Sequence, residues 1–244
     1  MKMIALGAGS VVLMTLTAVL LLAVGVFTLF RARSIYSRVA VMLARCTLRL
    51  YGVRIQVHGP ERGDACVFFR RQTVYISNHT STLDLFVLVA LGLPNCRFFL
   101  SGFLRRWIPL GVIASMMGTF FTVPQDRPDE RRRIFKRAAE VLRRTGESVY
   151  LSPEGGRITT GNIGRFNKGA FHLATVLRAP IVPMYVQIPR AIDPGLGYAS
   201  GSGTVNVYVL PEIHTADWNE IDVVENKERV RAILVRTHEE LRCA

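Results

Sequence analysis

Apolar residues follow three different rhythms along this chain. From Ile4 to Phe30 no charge interrupts them, and at about 1.5 Å per residue that stretch makes a helix of roughly 40 Å, enough to cross a ~30 Å hydrocarbon core if tilted. From Ser34 to Tyr51 the rhythm is helical: Arg38, Arg45 and Arg49 share one face at i, i+7 and i+11, and Val39, Val41, Met42, Leu43, Leu48 and Leu50 cover much of the rest. Ser34 is expected to cap this helix and Gly52 to end it. The pattern suits an interfacial helix lying at lipid head groups, with packing on a globular domain as the alternative. After Gly52, short β-rich runs recur at Val53 to Val57, Thr73 to Ser77, Arg97 to Leu100, Thr119 to Val123, Ser148 to Leu151, Ile181 to Gln187 and Thr204 to Val209. Helices are predicted from Leu83 to Val89, Asp129 to Thr145, Lys168 to Leu177 and Asn226 to Leu241; Pro128 and Gly146 punctuate the second of these. Alternation of this kind predicts an α/β fold, a mixed sheet flanked by helices, preceded by an N-terminal two-helix membrane anchor. The expected division is residues 1–52 for the anchor and 53–244 for the α/β domain. Pro189 to Gly203, rich in Gly, Pro, Ala and Ser, reads as a surface connection, with a lid as its alternative role.

Charge and cysteine usage narrow the function classes. The net charge is +13 over 244 residues, a field that attracts phosphate, anionic lipid, nucleic acid or an acidic carrier protein. Nucleic acid is disfavoured: no recognised binding motif is present and the chain starts with a membrane segment. Lys2 alone precedes the apolar stretch, whereas Arg31, Arg33 and Arg38 follow it, so the positive-inside bias places the rest at the cytosolic side of the inner (cytoplasmic) membrane. A cleaved signal peptide ending near Ala23-Val24-Gly25 is the rival, opposed by the apolar run through Phe30. Cys46, Cys66, Cys96 and Cys243 are too scattered for a metal site or a disulfide framework. The basic helix Asp129 to Thr145 is a solvated face, or attracts anionic lipid or an acidic carrier.

Three stretches could carry chemistry. His79 sits on the turn between a buried strand and a helix, and Ser81 as helix cap lets Asp84 return to it; the carboxylate would then fix the imidazole tautomer and leave the other nitrogen as a base. Ser81-x-x-Asp84 is equally a capping box, in which Asp84 merely satisfies a backbone donor. No Gly-x-Ser-x-Gly elbow accompanies the pair, which disfavours a serine hydrolase. Pro153-Glu154-Gly155-Gly156-Arg157 follows a strand, where glycine backbone and an arginine can meet an anion. Arg165-Phe166-Asn167-Lys168-Gly169 puts cations at a helix start, where the dipole also favours an anion.

In this order the three stretches resemble the lysophosphatidate (1-acylglycerol-3-phosphate) acyltransferase family over roughly Thr73 to Gln187. His79 and Asp84 match its His-x4-Asp hallmark. Pro153, Glu154, Gly155 and Arg157 match its phosphate-binding block, with Gly156 in place of the usual Thr or Ser. Phe166 and Gly169 match its Phe-x-x-Gly element, and Ile181-Val182-Pro183 its Val-Pro block. The remaining block, a Gly followed by Arg, is poorly kept: Pro124 stands where the Arg after Gly118 belongs, and Arg127 is the nearest substitute. The resemblance implies transfer of a fatty acyl group, from acyl-CoA or acyl carrier protein, to the free hydroxyl of a lysophospholipid. His79 and Asp84 would be catalytic, and Glu154, Gly155, Arg157, Lys168 and Arg127 would hold the acceptor's phosphate. No metal or cofactor is implied beyond the acyl donor. Another lysophospholipid, a lyso-aminolipid or glycerol phosphate are alternative acceptors, and a membrane-anchored basic binding protein is the alternative of a different class.

Overall fold

A computed structural model describes residues 2–59, 68, 71–195, 197 and 200–243, with side chains described from residue 7 to residue 242 of these. Strands β1 (Val53–His58), β2 (Val74–Ser77), β3 (Cys96–Ser101), β4 (Phe120–Thr122), β5 (Ser148–Leu151), β6 (Ile181–Gln187) and β7 (Gly203–Val209) form a seven-stranded sheet in the order β1-β7-β6-β2-β5-β3-β4. Every neighbouring pair is parallel except β6 with β7, so the sheet is mixed as expected. β2 and β5 sit at its centre and are buried at every position, which is why both are continuous runs rather than alternating ones.

Helices α1 (Lys2–Phe27), α2 (Arg33–Leu50), α3 (Leu83–Ala90), α4 (Ile108–Met116), α5 (Pro128–Thr145), α6 (Gly169–Leu177) and α7 (Val223–Cys243) complete the described fold. The two-residue period of the strands sends successive side chains to opposite cores. Tyr75 of β2 joins residues of α1 to α4, while Val74 and Ile76 join α5, α6 and α7.

α5 opens on Pro128, whose missing N–H is harmless in a first turn, and ends on Gly146 in the left-handed conformation (φ 65°). α4, preceded by a 3₁₀ turn at Gly102–Arg106, has no counterpart among the predicted helices. Its sequence IPLGVIASM is apolar all round, so no 3.6-residue period marks it.

α1 is the one described helix long and apolar enough to cross a membrane, over Gly7–Phe27. It packs on α2 and α4 yet leaves Leu16, Val19, Val26 and Phe27 exposed. α2 is packed as well: Tyr36, Ala40, Leu43, Ala44 and Leu48 enter the same core as the sheet, and Arg38, Arg45 and Arg49 stay exposed. Ser34 does not cap it. Ala32 stands at that position, and no side chain caps the helix.

The first residue of α2 is instead tied to the sheet. Arg33 pairs with the buried carboxylate of Glu147, just ahead of β5, and Arg97 of β3 donates through Nε to the same carboxylate at 2.6 Å. Arg97 also donates to the carbonyl of Gly118 at 3.1 Å. Burial, with the nearby charges of Arg33 and Arg144, brings the Arg97 guanidinium down to about 10, still charged at neutral pH. Removing Glu147 would strand two partly buried cations, which costs about 3 kcal/mol. Glu147→Ala is expected to lower the unfolding midpoint in detergent micelles by roughly 6–12 °C, and Glu147→Gln by less.

Candidate active site

β2 ends at Ser77, and the chain turns through residues 78–82 before α3 begins. Asn78 anchors that turn with both halves of its amide: Nδ2 donates to the Val186 carbonyl at 2.9 Å and Oδ1 accepts from the Val186 N–H at 2.8 Å. On a continuous helix, residues five apart stand about 140° from one another. The turn removes that separation. His79 Nδ1 lies 2.8 Å from Asp84 Oδ2, and the same oxygen accepts the N–H groups of Thr80 at 2.7 Å and Ser81 at 2.9 Å. The Ser81 hydroxyl accepts the Leu83 N–H at 3.1 Å. Asp84 therefore satisfies the backbone donors of the turn ahead of α3 and orients His79 with one oxygen, so the two readings open in the sequence describe a single carboxylate; Thr82, not Ser81, stands at the helix cap position. It is buried, whereas the His79 side chain is 29% exposed. With Nδ1 as the donor toward Asp84, Nε2 is the nitrogen left unprotonated.

Glu154 locks the next segment beneath the dyad. Its Oε2 accepts the His79 N–H at 2.6 Å and its Oε1 the Gly164 N–H at 2.7 Å, while the Ile158 N–H donates to the His79 carbonyl at 2.8 Å. Burial pushes the Glu154 carboxyl up, and the two N–H donors pull against that rise. Gly155 has φ +70°, and a Cβ there would come 2.6 Å from Asn167 Nδ2. That same Nδ2 donates to the carbonyls of Pro153 at 3.1 Å and Glu154 at 3.0 Å. Gly169 answers a different need: its Cβ would sit 2.5 Å from the ring of Phe135, where α6 closes on α5.

Above this frame lies a cavity of about 800 Å³ lined by His79, Asp84, Gly155, Gly156 and Arg157. Arg157 Nη1 donates to the Thr82 hydroxyl at the start of α3. Nothing comes within 4 Å of a Cβ built on Gly156, so sterics do not demand glycine there and the missing side chain leaves room beside Arg157. Of the other residues expected to hold phosphate, Glu154 is a buried carboxylate serving backbone donors. Arg127 is exposed and pairs with Glu130 at 3.6 Å, and Lys168 is exposed at the start of α6. Neither cation lines the cavity.

Arg131 does line it. Its Nη1 donates to the Val123 carbonyl at 2.8 Å, and burial lowers its guanidinium from the ordinary value. The spacing from Gly118 points to Arg127, whereas the period of α5 points to Arg131. It stands seven residues before the buried Ala138 and eleven before the buried Leu142, which places it on the inward stripe of α5.

The rest of the wall is largely apolar, with Phe103, Leu104, Trp107 and Leu110 facing Val11 and Met14 of α1. Pro194, Gly197 and Ser200 of the β6–β7 connection border it too; residues 196, 198 and 199 of that connection lie outside the described residues. Among the described residues no group of three His, Cys, Asp or Glu side chains could hold a metal ion. Cys46 is an exposed free thiol and Cys96 a buried one, while Cys66 and the Cys243 side chain lie outside the described set.

Glu154→Gln tests the junction. Glutamine offers one acceptor oxygen where two N–H groups on opposite sides each need one, so one donor would face the amide NH₂. The variant is expected to lose about 1–3 kcal/mol of stability by thermal unfolding, and a wild-type midpoint would contradict the bridging role.

Comparison with known proteins agrees with this geometry. Residues 54–187 match the family model described as Acyltransferase. The chain is 31% identical over 173 residues to 1-acyl-sn-glycerol-3-phosphate acyltransferase beta of Homo sapiens, covering 71% of this chain and 60% of that protein. It is 28% identical over 195 residues to 1-acyl-sn-glycerol-3-phosphate acyltransferase of Saccharomyces cerevisiae, covering 79% and 62%. The chain thus spans about three fifths of the length of these relatives. The crystal structure of the 1-acyl-sn-glycerophosphate (LPA) acyltransferase PlsC from Thermotoga maritima superposes over the whole of both chains with a TM-score of 0.68 at 18% identity, a likeness of fold. Because the family match runs from β1 to the end of β6, more than half of the chain, and takes in His79, Asp84 and Arg157, the chain belongs to the acyltransferase family.

Proposed function

We propose that this protein transfers a fatty acyl group from a thioester, acyl-CoA or acyl carrier protein, to the free hydroxyl of 1-acylglycerol-3-phosphate, giving phosphatidate. The observation that carries the reading is the His79–Asp84 contact opening on a cavity that holds cations at one side and an apolar wall at the other. His79 Nε2 removes the proton of the acceptor hydroxyl as its oxygen bonds to the thioester carbonyl carbon. The C–S bond then breaks, and the imidazolium returns the proton to the departing thiolate. Asp84 stabilises the charged ring between the two transfers, and no acyl-enzyme forms.

Arg157 and Arg131 hold the acceptor's phosphate, which fixes the hydroxyl beside the imidazole. The reaction draws on the thioester's own reactivity and calls for no metal or cofactor. α1 enters the bilayer and α2 lies at its boundary, making residues 1–52 an anchor that shares its packing with the catalytic domain. The arginines after Phe30 favour the cytosolic side.

His79→Ala is expected to lower acyl transfer roughly 10²–10⁴-fold with the unfolding midpoint unchanged, measured with labelled acyl donor and purified protein. A variant with wild-type turnover would end the assignment. Arg131→Ala and Arg157→Ala should each raise KM for the phosphate-bearing acceptor about tenfold or more. Arg127→Ala and Lys168→Ala should leave it within about twofold. The reverse ranking would return the phosphate to the residues first suggested by the sequence.

A further inference from the structure

A second cavity, of about 680 Å³, lies between α2 and the turn that joins α3 to β3. Arg33, Arg38, Arg45 and Arg49 line it, and no acidic side chain does. Arg33 is committed to Glu147, and Arg45 uses Nε on the Ala90 carbonyl at 2.9 Å. Arg38 and Arg49 are exposed. The deeper walls are apolar: Leu93, Phe98 and Met117 are buried core residues. Met42, on the arginine-bearing side of α2, is 60% exposed. Phe98 is the one residue this groove shares with the cavity that holds His79, so the two are neighbours separated by that ring.

Cations along a rim above an apolar floor suit an anionic amphiphile. Guanidinium is weakly hydrated and meets phosphate oxygens in pairs, and a volume of this size takes a head group with the upper part of one chain. From Arg38 to Arg49 the rim advances eleven positions along α2, about 16 Å, on the helix that follows the apolar α1 and packs against it. A soluble anion would match the arginines but leave Phe98, Leu93 and Met42 unused.

We propose that this groove is an accessory site for an anionic phospholipid, its phosphate on Arg45 with Arg38 and Arg49 lining the rim to either side, and one acyl chain on the floor. It is distinct from the reacting cavity and does not depend on acyl transfer.

The test is binding of phosphatidylglycerol and of phosphatidylcholine with the same chains to the full-length protein in neutral detergent. Native mass spectrometry reads the bound lipid, and inorganic phosphate serves as competitor. Phosphatidylglycerol is expected to bind about tenfold tighter or more than phosphatidylcholine. That preference should persist in a His79→Ala, Arg157→Ala double variant. It should be lost in an Arg38→Gln, Arg45→Gln, Arg49→Gln triple variant, and also in Val41→Trp, which keeps every charge but fills the groove. Single Arg45→Glu, at an exposed position, gives the same reading should the tryptophan variant fold poorly. Retained preference in a folded Val41→Trp or in Arg45→Glu, loss only in the active-site double variant, or displacement by inorganic phosphate at the lipid's own concentration would each overturn the proposal.

Discussion

One buried carboxylate holds this site together. Glu154 takes the His79 N–H on one oxygen and the Gly164 N–H on the other, joining the turn after β2 to the loop that leads into α6. Arg231 of α7 fastens the same point of that loop from the other side, donating to the carbonyls of Gly164 at 2.7 Å and Ile163 at 3.0 Å. Three stretches far apart in the chain thereby become one surface. A charged group with its back to the core is unfavourable unless both oxygens are satisfied, and here each has an N–H. The arrangement leaves little freedom: shifting either loop would strand a donor or the carboxylate itself. The proposed role of His79 as a base calls for that kind of over-determined support.

The sheet supplies the geometry for that meeting. β2, β5 and β6 run parallel as neighbours, so the turns that leave them emerge along one edge, the place where open α/β sheets gather their ligand groups. The Asn78 amide stitches the first turn to β6, and the Ser77 hydroxyl lies 2.9 Å from the hydroxyl of the buried Tyr150 on β5. Polar pairing between central strands fixes their relative height as well as their order.

Much of this was legible in the chain because local rules governed it. All seven strands stand close to where β-rich runs predicted them, and α5 begins and ends at Pro128 and Gly146. That His79 and Asp84 could meet was legible too, since the spacing demands a turn and Ser81 suggests one. What stayed hidden were choices made by distant partners. Arg33 turns to Glu147, 114 residues away, an ion pair that no local pattern encodes. Whether Asp84 served the backbone or the imidazole could not be decided from spacing, because it does both. Arg131 is out of reach of any spacing measured from Gly118, because its place is set by the period of the helix that carries it. α4 escaped notice because a helix with no polar face has no phase to detect.

α1 contributes to the site itself. Val11 and Met14 belong to the wall of the cavity that contains His79, while Val19, Leu20 and Val26 on the same helix face outward. Moving a sixteen-carbon chain from a bilayer into water would cost on the order of 12 kcal/mol at ~0.8 kcal/mol per methylene. On the proposed function, a lipid acceptor entering alongside this helix would exchange one hydrocarbon neighbour for another and never meet that barrier. On that reading the helix would bridge two solvents, and the speed of substrate entry would be a property of the membrane as much as of the protein.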